Sequence, residues 1–266
     1  APPPAGDIKS ALEAASSPNL TWKDKVDVCG MLMAAASSTS PGAVHELARA
    51  VPKVVPLLLQ YFAEPHFKVA LESLLVTREM LAAPAVAAEM QGHLHLLLPL
   101  LFLKLIDPKE AVKGEAVHAL QEIGGIYPAE VLLPALAATL AGIRSPRGKI
   151  GVLEYASHMI KGPAPPAAVR QWAWAVMPYA EDRSLDLRGA AVLAASTVVT
   201  CMDPAPVLEH LERMAGPNQR ALLGHMERGV PDIEDRLAAF IRAKARGDPF
   251  PAQWAGAGGV EAEAEE

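Results

Sequence analysis

Proline recurs at intervals that fit one kind of architecture. Pro65 in AEPHFKVALESL, Pro108 in IDPKEAVKGEAVHAL and Pro146 in SPRGKIGVLEYA each precede an apolar run of helical period. A proline at the first position of a helix forfeits only an N–H that has no intrahelical partner, so each is expected to open a helix. The intervals are 43 and 38 residues, close to the roughly 40 to 47 of stacked two-helix repeats. With strand-like alternation scarce, the chain has little with which to build a sheet.

Starts, stops and breakers divide the chain into helices over 7–16, 21–36, 42–62, 65–82, 84–106, 108–126, 129–143, 146–161, 166–181, 185–201, 204–215, 218–228 and 231–246. The prediction is an all-α protein, an α-solenoid of six HEAT-type antiparallel hairpins with an extra C-terminal helix. Pro52, Pro56, Pro99, Pro134 and Pro178 fall inside the first helix of a pair, where they are expected to bend it around its neighbour. The expected organisation is an N-terminal stretch 1–6 outside the fold, a repeat domain 7–246, and a disordered acidic tail 247–266.

A composition of 51% hydrophobic but only 5% aromatic residues supports a large core of Ala, Leu and Val, which suits helices. The net charge is −6, and Glu261, Glu263, Glu265 and Glu266 account for most of it, so the rest is nearly balanced. That balance gives no sign of general nucleic-acid affinity. Cys29 and Cys201 match no metal or redox spacing and read as reduced core residues of a cytosolic protein. No signal peptide is visible, and HLHLLLPLLFLKLI over 93–106 is shorter than the roughly 20 residues a bilayer needs, so no membrane partner is expected. The chain begins at Ala1 and reads as a piece of something longer.

Stacked hairpins present their short within-pair turns along one edge. That edge would carry Trp22, Lys25, Lys68, Lys109, Lys113, Arg147, Lys149, Arg188 and Arg220. Cations at helix starts oppose the macrodipole, typically by a few tenths of a kcal/mol. Their recurrence therefore points to an acidic partner along the edge.

The within-pair turns, the six-pair count and NLTWKDKVDVCGML around Trp22 resemble the TOG domain, a six-HEAT-repeat paddle that binds tubulin through its intra-repeat turns. YFAEPHFKVALESLL (61–75), SPRGKIGVLEYASHMI (145–160) and SLDLRGAAVLAASTVV (184–199) resemble the second, fourth and fifth repeats of a late TOG domain of the CLASP microtubule regulators. The resemblance covers about residues 7–246 and implies a cytoplasmic, cytoskeletal module that binds αβ-tubulin or the microtubule lattice as a monomeric domain. It also implies a role in suppressing catastrophe or promoting rescue. Carried over, Trp22 would be the apolar anchor with Lys25 beside it, Lys68 would act from the second turn, Lys109 and Lys113 from the third, Arg147 and Lys149 from the fourth, and Arg188 from the fifth. The second turn departs from the pattern by placing His66-Phe67 where a small or aliphatic contact is expected.

Competing assignments follow from the same residues. Trp22 could instead cap the open end of the stack, and Asp186-Leu187-Arg188 could form the Asp–Arg ladder between neighbouring pairs. Trp172 and Trp174, two apart on a helix, cannot share a face, so one should be core and the other surface. Trp254 lies in the Gly/Ala/Glu-rich tail.

No catalytic, cofactor or metal site is predicted: His45-Glu46 is followed by Arg49 rather than a second His, and His93 and His95 sit at i, i+2. GIRSPRGKIG (142–151) lacks the Ser or Thr and the preceding strand of a phosphate loop. Two alternatives to tubulin binding remain at this point, a HEAT scaffold that grips a peptide in its groove and a HEAT-like DNA glycosylase. The modest net charge argues against the second.

Overall fold

A computed structural model describes residues 8–160 and 164–249. Among these are fourteen α-helices, two 3-10 segments and no strand. The contacts divide into two compact units, one ending at Tyr127 and one beginning at Pro128.

The first unit contains α1 (Ile8–Ala15), α2 (Trp22–Ala36), α3 (Pro41–Phe62), α4 (Phe67–Ala82), α5 (Pro84–Met90), a 3-10 turn (Gln91–His93), α6 (Leu94–Lys104) and α7 (Glu110–Ile126). These make three pairs, α1/α2, α3/α4 and α5–α6/α7. First helices pack on first helices, as α3 does on α1, α5 and α6, and second on second, as α4 does on α2 and α7. Each middle helix thus meets neighbours on several sides. That explains why α4 buries Val69, Ala70, Leu74, Val76, Met80 and Leu81 rather than a single stripe. Its buried Ser73 and Thr77 hydroxyls donate to the carbonyls of Ala70 and Ser73 at 2.8 Å each, so neither polar group is stranded.

The second unit contains α8 (Ala129–Gly142), α9 (Pro146–Met159), α10 (Pro166–Val176) with a 3-10 extension (Met177–Glu181), α11 (Leu185–Cys201), α12 (Ala205–Arg213), α13 (Gly216–Met226) and α14 (Ile233–Arg246). The same scheme holds: α10 lies between α8 and α12, α12 carries α14, and α11 lies between α9 and α13. On α11 the buried Ala190, Ala191, Ala194 and Ala195 leave room for that close layering. Among the described residues Trp172 is the one fully enclosed indole, and it sits on the buried face of α10.

Proline placement follows the prediction in part. Pro52 and Pro56 lie inside α3, Pro99 inside α6 and Pro134 inside α8. Each removes a helical hydrogen bond, and on α3 the loss is borne by a face that buries Val51, Val54, Val55 and Leu58 completely. Pro178 instead marks the change from α10 into its 3-10 extension. Pro146 is the first residue of α9, but Pro65 and Pro108 are not helix openers: His66 and Lys109 are the N-caps, one residue later. At the third turn the Asp107 carboxylate accepts the Lys109 N–H at 3.0 Å, which holds the chain extended for one more residue before α7 begins.

Three further expectations are corrected. The predicted helix 84–106 is interrupted at Gln91–His93, where Gly92 sits. The helical run Pro84–Lys104 is 21 residues long and apolar enough, by length and composition, to cross a membrane. Here Val86, Met90, Leu94, Leu97, Leu98, Leu101 and Phe102 are spent on the core of the first unit. Cys29 is buried but Cys201 is only half-buried, and both are free thiols. The N-terminal stretch 1–6 and the tail from Phe250, with Trp254 and its glutamates, lie outside the described residues.

Candidate functional site: the turns within the helix pairs

The first turn is built to present Trp22. Asn19 takes a left-handed conformation (φ 65°), which its short amide side chain tolerates, and this reverses the chain after α1. Thr21 then caps α2 reciprocally: its hydroxyl oxygen accepts the Asp24 N–H at 3.3 Å, while its own N–H and hydroxyl donate to Asp24 Oδ2 at 2.7 Å each. These bonds to the ionised carboxylate hold Asp24 below the usual carboxylate range. Trp22 follows as the first helical residue, 36% exposed.

The second turn meets the first through rings. His66 stacks on Trp22 with centroids 4.0 Å apart and planes 6° from parallel. Phe67 continues the stack from His66 at 5.7 Å and 13°, and is 37% exposed. Lys68 and Lys23 each place Nζ 5.7 Å from the Trp22 ring centroid, and Lys109, from the third turn, places Nζ 5.3 Å from that of Phe67. Such contacts hold a lysine over an aromatic face while its ammonium remains hydrated. The sequence pattern supplied Trp22, Lys68 and Lys109 but treated His66-Phe67 as a departure and passed over Lys23. Two adjacent rings at a turn, facing a tryptophan one repeat earlier, are the signal that could have found them.

Two other cations of this unit are committed to its own carboxylates. Lys25 donates to Glu64, tying the first turn to the second. Lys113 donates to Glu110 Oε1 at 2.6 Å, three residues back. Lys113 is therefore stabilised at a helix start by an acid placed first in the same turn, and its cost against the dipole is offset locally.

In the second unit, Arg147 is exposed at the start of α9. Lys149 donates to the Tyr179 hydroxyl at 2.9 Å and lies 4.4 Å from that ring's centroid, which joins the fourth turn to the fifth. Arg188 donates to the carbonyl of Asp182 at 3.2 Å, within its own turn. The expected ladder to Asp186 is absent among the described residues. The inter-pair ladder lies elsewhere: Arg78 on α4 binds Glu115 at 2.6 Å and Glu122 at 2.7 and 2.9 Å, both on α7. Leu185, first residue of α11, is 72% exposed beside Arg188, and Arg220 is exposed on α13. Trp174, the surface member of its pair, is 53% exposed and lies 5.7 Å from the Arg213 guanidinium. No cluster of three or more metal-ligating residues occurs among the described residues.

No protein-family model matches the chain. Over 255 residues, 90% of its length, it is 25% identical to a CLIP-associated protein of Arabidopsis thaliana, and it spans 18% of that protein. Among solved structures, the MAST/Orbit N-terminal domain matches with a TM-score of 0.54 over 84% of this chain and 97% of that one, at 16% identity. Mini spindles TOG3 of Drosophila melanogaster matches with a TM-score of 0.55 over 83% and 93%, at 13% identity. At such low identity the structural matches speak for the fold alone, and the sequence match is a similarity to a stretch of a much longer CLIP-associated protein. The chain is thus similar in sequence to a CLIP-associated protein, and its paired helices and turns have the helical-repeat fold of TOG domains.

Proposed function

We propose that this domain is a non-catalytic tubulin-binding module of a CLASP-like regulator of microtubule dynamics. One observation carries the reading: Trp22 is displayed at the first turn with the Lys23, Lys68 and Lys109 ammoniums gathered around the same rings. A large, half-exposed indole is the kind of residue that makes a hot spot, and cations around it steer and orient an acidic partner. The partner is αβ-tubulin, free or in the lattice. Arg147, Lys149 and Arg188 belong to the second unit's own turns, where Lys149 and Arg188 also brace those turns. A single module of this kind binds modestly, and several on one parent chain gain avidity through effective concentration. Holding tubulin at the plus end in that way suppresses catastrophe or promotes rescue, and it places the protein on cytoplasmic microtubules.

The test is size-exclusion binding to αβ-tubulin and co-sedimentation with microtubules at two salt concentrations. Wild type is compared with Trp22→Glu and with Lys68→Ala/Lys109→Ala. Loss of a hot spot of about 2 kcal/mol or more predicts an affinity at least ~30-fold weaker for Trp22→Glu. The lysine variant should lose affinity chiefly at low salt, where screening is weakest. Wild type that binds neither form, or Trp22→Glu that binds as well as wild type, defeats the proposal.

A further inference from the structure

Four acids near the first unit's turns are already engaged. Asp24 closes the cap on Thr21, Glu64 holds Lys25, Glu110 holds Lys113, and Asp107 holds both Lys104 at 3.2 Å and the Lys109 N–H. Lys23, Lys68 and Lys109 have no carboxylate partner among the described residues and are held only on ring faces. The rings themselves form one stack from Trp22 through His66 to Phe67. His66 is its middle member, and its buried Nδ1 has no hydrogen-bond partner among the described residues. As N-cap of α4 it also makes no side-chain capping bond. The imidazole is thus kept in place by its two neighbouring rings rather than by its polar atoms.

We propose that Trp22, His66 and Phe67 act as one binding site with Lys23, Lys68 and Lys109, and that His66 is its positioning residue. The occupant is an acidic protein segment that sets carboxylates against the three ammoniums and lays an apolar side chain on the exposed parts of the rings. The proposal rests on the tubulin reading only for the identity of that partner. Stacking fixes the Trp22 plane before binding, which lowers the ordering cost that an unsupported exposed indole would meet. The role belongs to a flat ring and not to imidazole chemistry, so a phenyl ring can replace it.

The experiment compares wild type, His66→Ala and His66→Phe against two probes, αβ-tubulin and poly-L-glutamate, with helicity checked by circular dichroism. His66→Ala should weaken both interactions about fivefold, the worth of one stacked aromatic pair. His66→Phe should stay within about twofold of wild type for the same reason, and should melt no earlier, because it removes an unsatisfied buried nitrogen. His66→Ala binding both probes like wild type, His66→Phe failing as His66→Ala does, or wild type binding neither probe, each overturns the assignment. Wild type that binds poly-L-glutamate in a His66-dependent way but ignores tubulin upholds the site and removes the tubulin reading.

Discussion

Replacing Arg78 with methionine tests what fixes the third helix pair of the first unit against the second. The guanidinium makes three charge-assisted bonds to Glu115 and Glu122, at 2.6, 2.7 and 2.9 Å. The remaining oxygen of Glu122 is buried without a hydrogen-bond partner among the described residues. Both carboxylates also raise the Arg78 pKa, Glu122 most, as expected of a cation held between two anions. Methionine keeps much of the stem's packing but leaves two acids on one face of α7 with no cation. Removing one partner of a fully buried pair costs about 3 to 5 kcal/mol. Here the side chains of Arg78, Glu115 and Glu122 are 30%, 21% and 34% exposed, so water recovers part of that. We expect a loss of about 2 to 3 kcal/mol, read as a urea midpoint roughly 1 M lower by circular dichroism. Arg78→Met combined with Glu115→Gln and Glu122→Gln should regain at least half, because the penalty comes from unpaired charge. A loss below about 0.5 kcal/mol, within the range of ordinary surface changes, would refute the reasoning. So would a triple variant no more stable than the single one.

The two tryptophans of α10 should separate cleanly in stability measurements. Trp172→Ala empties a fully enclosed site and should cost about 3 to 5 kcal/mol, while Trp174→Ala should stay within about 0.5 kcal/mol. Thr21→Ala removes the cap of α2 and should lower stability by about 1 kcal/mol; an unchanged melting curve would show that the cap is redundant. Burial pushes the hydroxyls of Tyr61 and Tyr127 from 10.0 up to about 12. Their contribution is complete below pH 10 and falls as pH rises toward 12, since the unfolded chain ionises first; the urea midpoint should therefore drop between pH 10 and 12. Cys29, raised by burial and then by the Glu72 charge to about 12, should resist a thiol reagent at pH 8 in the folded chain while half-buried Cys201 reacts. Equal labelling rates at the two cysteines would contradict that difference.

Much of the fold is written in signals that act over a few residues. Pro41, Pro84, Pro146 and Pro166 open helices, Thr21, Ser145 and Ser184 cap them, and the 38- and 43-residue recurrence counts the pairs. Such devices work through the backbone of the segment that contains them, so their spacing in sequence is their spacing in structure. The position of Trp22 at the head of α2 was legible for this reason, as was the division of Trp172 and Trp174 between core and surface.

What each turn residue touches was not legible. Lys25 meets Glu64 across 39 residues, Lys149 meets Tyr179 across 30, and Arg78 meets Glu122 across 44. The sequence alone treats Lys25, Lys68, Lys109, Lys113 and Lys149 as equivalent cations. The tertiary structure separates them into struts, a locally paired residue and ammoniums gathered on rings. Which outcome a lysine meets depends on the stagger of neighbouring helix pairs, and a shift of one residue along a helix moves a side chain about 1.5 Å and turns it by about 100°. The sequence by itself therefore determined the helices, their order and the residues at their turns, because caps and breakers are local. Packing between pairs decided that Trp22, His66 and Phe67 share one stack, because only the interdigitation of whole helices sets that register.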